Sequence, residues 1–154
     1  MEDNVVISKI LGVVLISGAL AFGYIMDDIA DKNSDHSYVV QFQRGTTPGL
    51  DYSATAFEAI EQLNSNPAYH VFIIGHTGTR GPESANQELG LKRANRVRKD
   101  FRFQGIAADR IHVLSRGEMA PLVQGKHETD SLWQKRLARV GIFVTVDQEA
   151  FSDE

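Results

Sequence analysis

The chain has 154 residues and a formal net charge of −4, from 16 basic and 20 acidic side chains. That length suits one folded domain with an appendage, and that charge gives no overall basic footprint for nucleic acid. It contains no cysteine, which excludes disulfides, thiolate metal sites, a cysteine nucleophile and a lipid-modified cysteine.

Residues 5–26 are apolar apart from Ser8, Lys9 and Ser17. The run is close to the ~20 residues that carry a helix across a bilayer, so 1–26 are expected to form an N-terminal membrane anchor. Lys9 lies near one end, and Asp27, Asp28 and Asp31 follow the other. This asymmetry favours a single-pass, N-in and C-out orientation. The alternative is a cleaved signal peptide, because Ala19-Leu20-Ala21 has the form of a cleavage site, although Glu2 and Asp3 spoil the positive start. Ser8/Gly12 and Ala19/Gly23 are small pairs at helical spacing. No acidic residue interrupts the span, which argues against an ion-driven motor subunit.

Residues 27–36 are polar and acidic and read as a linker. A folded domain is expected over 37–146. Its first strand is 37–42, rich in β-branched and aromatic residues, followed by a loop over 44–49 with Gly45, Pro48 and Gly49. A helix over 52–63 places Ala56, Ala59, Ile60 and Leu63 on one face, with Asp51 or Ser53 as cap. The unbroken apolar run 70–74 reads as an inner strand. Gly75, Gly78 and Gly81 mark a loop, and Pro82 suits the first turn of a helix. That helix runs from Glu83 to about Phe103, where Gln104-Gly105 ends it. A third strand is expected at 111–114, a loop at 117–125, a short helix at 129–137 capped by Thr129 or Asp130, and a last strand at 140–146. The tail 147–154 is acidic and reads as frayed. Alternating strands and helices imply an α/β fold: a small mixed sheet of about four strands with two or three helices packed on it.

A loop leaving the carboxyl end of a strand and feeding a helix start presents backbone N–H groups and the positive end of the helix dipole. A carboxylate or phosphate is favoured there. Arg93, further along the helix, can reach the same pocket; its alternative is an internal ion pair with Glu118 or Asp109. Lys92, Arg93, Arg96, Arg98, Lys99 and Arg102 share this helix, but spread around it they read as a solvated, partly paired surface. The five histidines form no H-x-x-x-H or H-E-x-x-H pair, so no metal is expected. Gly75-x-x-Gly78-x-x-Gly81 is not a nucleotide fingerprint and has no Walker lysine. Ser115 lacks a nucleophile elbow, Thr77 has no base beside it in sequence, and Trp133 reads as packing. No enzyme activity and no cofactor are expected.

Several pieces in register over about 38–146 resemble the OmpA-like domain family, the peptidoglycan-associating (OmpA/MotB C-terminal) module of bacterial envelope proteins. Ile73-Ile74-Gly75-His76-Thr77-Gly78-Thr79-Arg80-Gly81 is similar to its strand and T-D-x-x-G turn. Asn86-Gln87-Glu88-Leu89-Gly90-Leu91-Lys92-Arg93-Ala94-Asn95-Arg96-Val97 is similar to its N-x-x-L-S-x-x-R-A-x-x-V helix. Gly105 to Ile111 fits a G-[IV]-x-x-x-R-[IL] step, and Gly117-Glu118-Met119-Ala120-Pro121 fits a G-E-x-x-P loop. Leu137-Ala138-Arg139-Val140 matches N-R-R-V in part.

The resemblance implies an OmpA-like βαβαβ sandwich in the periplasm, held at the inner membrane by the N-terminal span or released there by cleavage. It implies Thr77, Gly78, Asn86, Arg93 and Arg139 as peptidoglycan-binding candidates. In the family, the aspartate of T-D-x-x-G and the arginine of R-A hold the zwitterionic end of the peptide stem, carboxylate to ammonium and guanidinium to carboxylate. Here the arginine is kept as Arg93, but the aspartate position is Gly78, the serine is Gly90 and the first arginine of N-R-R-V is Ala138. Glu83, Glu88 and Glu118 are the acids that can stand in. Three readings follow: weak peptidoglycan binding that tethers an envelope complex, with many copies in that complex multiplying the contact; an assembly module that contacts other envelope proteins and has lost the wall; or another anion at the same helix start.

Overall fold

A computed structural model of the chain describes residues 34–146. The expected anchor, most of the linker and the acidic tail lie outside the described residues. Among the described residues no helix is long and apolar enough to cross a membrane.

Among the described residues four strands and three α-helices alternate: β1 (His36–Gln41), α1 (Tyr52–Ser65), β2 (His70–His76), α2 (Glu83–Phe103), β3 (Ile111–Gly117), α3 (Asp130–Leu137) and β4 (Arg139–Thr145). A short 3₁₀ turn, Ala108–Arg110, leads into β3. The sheet order is β1-β4-β2-β3. β4 runs antiparallel to both β1 and β2, whereas β2 and β3 are parallel. The expected small mixed sheet with helices packed on it is what forms.

Residue identity explains the placement. β2 is central, and Val71 to His76 are all buried, which matches its unbroken apolar run. Val71, Ile73, Val140, Ile142 and Val144 join Ala59, Leu63, Ala94, Val97 and Phe101 in the main core. Each fully buried Leu, Ile, Val or Phe side chain contributes roughly 1.5–3 kcal/mol of transfer free energy. α2 ends at Phe103, and Gly105 follows at φ 90°, the left-handed conformation that glycine adopts without a Cβ penalty. Arg110 then caps the end of α1 by donating to the carbonyls of Leu63, Asn66 and Tyr69.

Several boundaries differ from expectation. β2 continues through Gly75 and His76, which pair with Val140 and Gly117, so the loop begins at Thr77. β3 continues to Gly117 for the same reason, and β4 begins at Arg139 rather than Val140. Pro82 sits at the N-cap with extended backbone, not inside the first turn. Asp51 makes no side-chain cap; Thr129 does cap α3, accepting from Leu132 N–H at 3.4 Å. The backbones of β2 and α2 nearly touch: a Cβ on Gly75 would overlap the carbonyl of Gly90. This contact draws the start of α2 down onto the end of β2.

Candidate functional site

The close approach of Gly75 and Gly90 brings Arg93, one turn further along α2, beneath the end of β2. Arg93 is 4 % exposed. Its Nη1 donates to the carbonyl of His76 at 2.8 Å and its Nε to the carbonyl of Gly45 at 2.8 Å. The guanidinium carbon also lies 5.7 Å from the centroid of the Phe42 ring, within cation–π range. Gly45, at φ 59°, turns the β1–α1 loop so that its carbonyl reaches Arg93. Nη2 donates to no acceptor among the described residues. Burial pulls the pKa down from the usual arginine value, but a guanidinium stays charged in a protein.

The alternative expected for Arg93, an ion pair with Glu118 or Asp109, does not form. Arg93 belongs to none of the ion pairs of the described residues. Backbone carbonyls hold it instead, and the Glu118 carboxylate accepts from Asn86 Nδ2. Glu88 is paired with Lys92 at 2.6 Å.

Gly78 is not in the left-handed region, so glycine stands there for space rather than for conformation. A Cβ at that position would overlap Oε1 of Gln134. Gln134, from α3, holds Thr79 at two points. Its Oε1 accepts from Thr79 N–H at 3.0 Å, and its Nε2 donates to Thr79 Oγ1 at 2.9 Å. An exposed Arg80–Asp130 ion pair joins the same loop to the same helix. Two backbone N–H groups expected to face a ligand are thus occupied: Thr79 by Gln134, and Thr77 by the carbonyl of Gly117 at 2.8 Å.

The other candidates divide. Thr77 is buried beside Gly78 and donates its hydroxyl to the Gly78 carbonyl at 3.0 Å. Asn86 is buried and also donates to the carbonyl of Arg80 at 3.2 Å, so it fixes the loop rather than opening to it. Arg139, likewise buried, donates to the carbonyls of Leu137 at 3.4 Å and Ala120 at 3.2 Å, acceptors distinct from those of Arg93. His76 joins the two arginines: its carbonyl takes Arg93, while burial, then the Arg139 and Arg116 charges, hold its ring well below the ordinary histidine pKa. No group of three or more potential metal ligands occurs among the described residues. His70 Nδ1 and His112 Nε2 lie 3.0 Å apart on neighbouring strands.

The model of the OmpA family matches residues 42–132. The chain belongs to the OmpA family. A peptidoglycan-associated lipoprotein of Legionella pneumophila is 34 % identical over 77 residues, half of this chain and 44 % of that protein. An outer membrane porin F of Pseudomonas fluorescens is 34 % identical over 71 residues, 46 % of this chain and 22 % of that protein. The chain thus spans less than half the length of these curated relatives. The crystal structure of the peptidoglycan-associated lipoprotein from Burkholderia pseudomallei superposes with a TM-score of 0.61 at 26 % identity, covering 70 % of this chain and 89 % of the other. The C-terminal domain of Helicobacter pylori MotB gives a TM-score of 0.58 at 21 % identity, over 73 % and 88 % of the two chains, a likeness of fold. Within this OmpA-family domain, Gln134, Gly45 and Phe42 went unseen in the sequence as parts of the site. The one local signal was Gly78 itself, a glycine at a motif position that needs a side chain.

Proposed function

We propose that this chain is a structural, membrane-tethered protein whose OmpA-family domain holds an envelope complex to peptidoglycan. The pocket is reduced to its anion-binding half: Thr77, Gly78 and Asn86 shape its floor, and Arg93 is its charge. The observation that carries this reading is the third nitrogen of Arg93. Two of the guanidinium nitrogens are fixed by carbonyls, which pre-orients the third toward a ligand carboxylate without a further ordering cost. Relatives named for peptidoglycan association support the ligand class. One charge-assisted contact is worth only about 1.5–3 kcal/mol. Tethering compensates, because an anchored domain meets an immobile polymer at high effective concentration, and several copies in one complex multiply the effect. The apolar span 5–26 supplies the anchor in this reading and places the domain in the periplasm.

Co-sedimentation of the full chain with purified sacculi tests it. Retention that is lost in Arg93→Ala is expected; equal retention of both proteins, or of neither, overturns it.

A second reading, an assembly subunit that contacts other envelope proteins, is favoured by one surface. A groove of about 1080 Å³ runs between the β1–α1 loop and α3, lined by Phe42, Arg44, Leu132 and Lys135 among others. Leu50 beside it is fully exposed. Loss of sacculus binding with retention in a native envelope complex distinguishes this reading.

A further inference from the structure

We propose that Gln134 is the specificity-determining residue of the Arg93 cleft, and that it makes the cleft a reader of a lone carboxylate rather than of a zwitterion. The inference rests on the wall-binding reading above and names which end of the stem peptide is recognised.

The space at issue lies under the mouth of the β2–α2 loop. Residue 78 has no side chain, and the room one would take is filled by the terminal amide of Gln134. That amide is not loosely placed. It meets both polar groups of Thr79, the backbone N–H at 3.0 Å and the hydroxyl at 2.9 Å. The Arg80–Asp130 ion pair flanks it on the same helix. A neutral amide whose donor and acceptor both point at Thr79 has nothing to offer a ligand ammonium. Of the neighbouring acids, Asp130 is taken by Arg80 and Glu118 is turned to Asn86. Arg93, whose Nη1 holds the carbonyl of His76 two residues before Gly78, keeps Nη2 without an acceptor among the described residues. Beside the one positive contact of Arg93, residue 78 therefore presents a neutral, partly exposed amide where an acidic side chain would stand. A ligand carboxylate gains from the first, and an ammonium on the same residue gains nothing from the second.

The isosteric change Gln134→Glu isolates this cause. The Thr79 N–H can still donate to Oε1, and the Thr79 hydroxyl can turn to donate to the second oxygen. The fold is kept while the amide becomes an anion. Two probes are used with the full chain: a stem tripeptide ending in meso-diaminopimelate, and the same tripeptide ending in 2-aminopimelate, which keeps the distal carboxylate and lacks the distal ammonium. Affinities are measured by calorimetry, with the melting temperature of each variant as a check on folding. The wild-type chain is expected to bind both within about twofold. Gln134→Glu is expected to favour the diaminopimelate peptide by about two- to fivefold, the range of a solvent-accessible ion pair. Gln134→Ala, which empties the slot without charging it, is expected to show no preference.

A wild-type preference for the diaminopimelate peptide beyond about fivefold, or the same preference in Gln134→Ala as in Gln134→Glu, overturns the inference. So does binding of neither peptide by a chain that still sediments with sacculi through Arg93; in these cases the wall-binding reading stands. Absence of both peptide and sacculus binding overturns the two together.

Discussion

The guanidinium of Arg93 and the carbonyl of His76 meet at 2.8 Å, joining the middle of α2 to the last residue of β2. The same side chain reaches the Gly45 carbonyl on a third element. Lysine carries a single charged nitrogen on a flexible stem and cannot reproduce this fork. Arg93→Lys and Arg93→Ala are both expected to destabilise the domain, because the buried His76 carbonyl and the part-buried contact to the Gly45 carbonyl lose their donors. Each is expected to cost roughly 1–3 kcal/mol. Urea unfolding measures this, and a lysine variant with wild-type stability would show that charge alone suffices.

Gly75 and Gly90 set the distance between β2 and α2. A Cβ on Gly75 would meet the Gly90 backbone, which has no flexible end to withdraw. Gly75→Ala is therefore expected to be an overpacking change of about 1–3 kcal/mol, accompanied by loss of Arg93-dependent ligand binding as α2 shifts. A Cβ on Gly90 would meet Ser115 Oγ, a side-chain atom, and the Gly75 carbonyl oxygen at 2.9 Å, a milder backbone overlap than the one a Cβ on Gly75 would make, so Gly90→Ala is expected to cost less. Denaturant midpoints for the two variants give the order directly.

Restoring the acid of the family motif is not a simple gain here. In Gly78→Asp the new side chain would collide with Gln134, whose far end can swing away only by giving up both bonds to Thr79. The single variant is expected to lose about 1–2 kcal/mol, two ordinary net hydrogen bonds. Gln134→Ala gives up the same two bonds, so the double variant is expected to cost about as much as either single variant rather than their sum, a coupling of residues in contact. A double-mutant cycle by urea unfolding checks it; strict additivity would mean that the two side chains do not compete.

These residues also mark what the sequence conveyed. The span of α2 was legible because Pro82 and Gly105 bracket it, and β2 because its apolar run is unbroken. The end of β2 was not: Gly75 and His76 look like loop residues locally, and only pairing with Val140 and Gly117 makes them strand. Arg93 was picked out by its motif, but it was also counted with the solvated basic residues of α2, whereas it is buried; its partners are main-chain carbonyls, which have no residue signature. Gln134 lies 55 residues from Thr79 in sequence, beyond any periodicity. Arg139 showed as a motif remnant, yet its own acceptors, Leu137 and Ala120, emerge only when the loop before α3 folds back.

His76 gives the domain a predictable response to acid. Its ring is 2 % exposed, and burial with the Arg139 and Arg116 charges depresses its pKa in the fold. An unfolded histidine titrates near ~6.5, so below that pH the unfolded chain binds a proton that the folded one refuses. Stability is then unaffected above that pH and falls as pH drops through it. His112 contributes in the same direction, depressed by burial and by His70 against the opposing charge of Asp109. Unfolding free energies measured between about pH 7.5 and 5 should therefore decline with acid. His76→Gln is expected to flatten that decline even where it lowers stability overall, since it removes the group that takes up the proton. His76→Gln with His112→Gln is expected to remove most of the remainder. An unchanged slope in the first variant would mean that the His76 ring is protonated in the folded domain, beside two arginines.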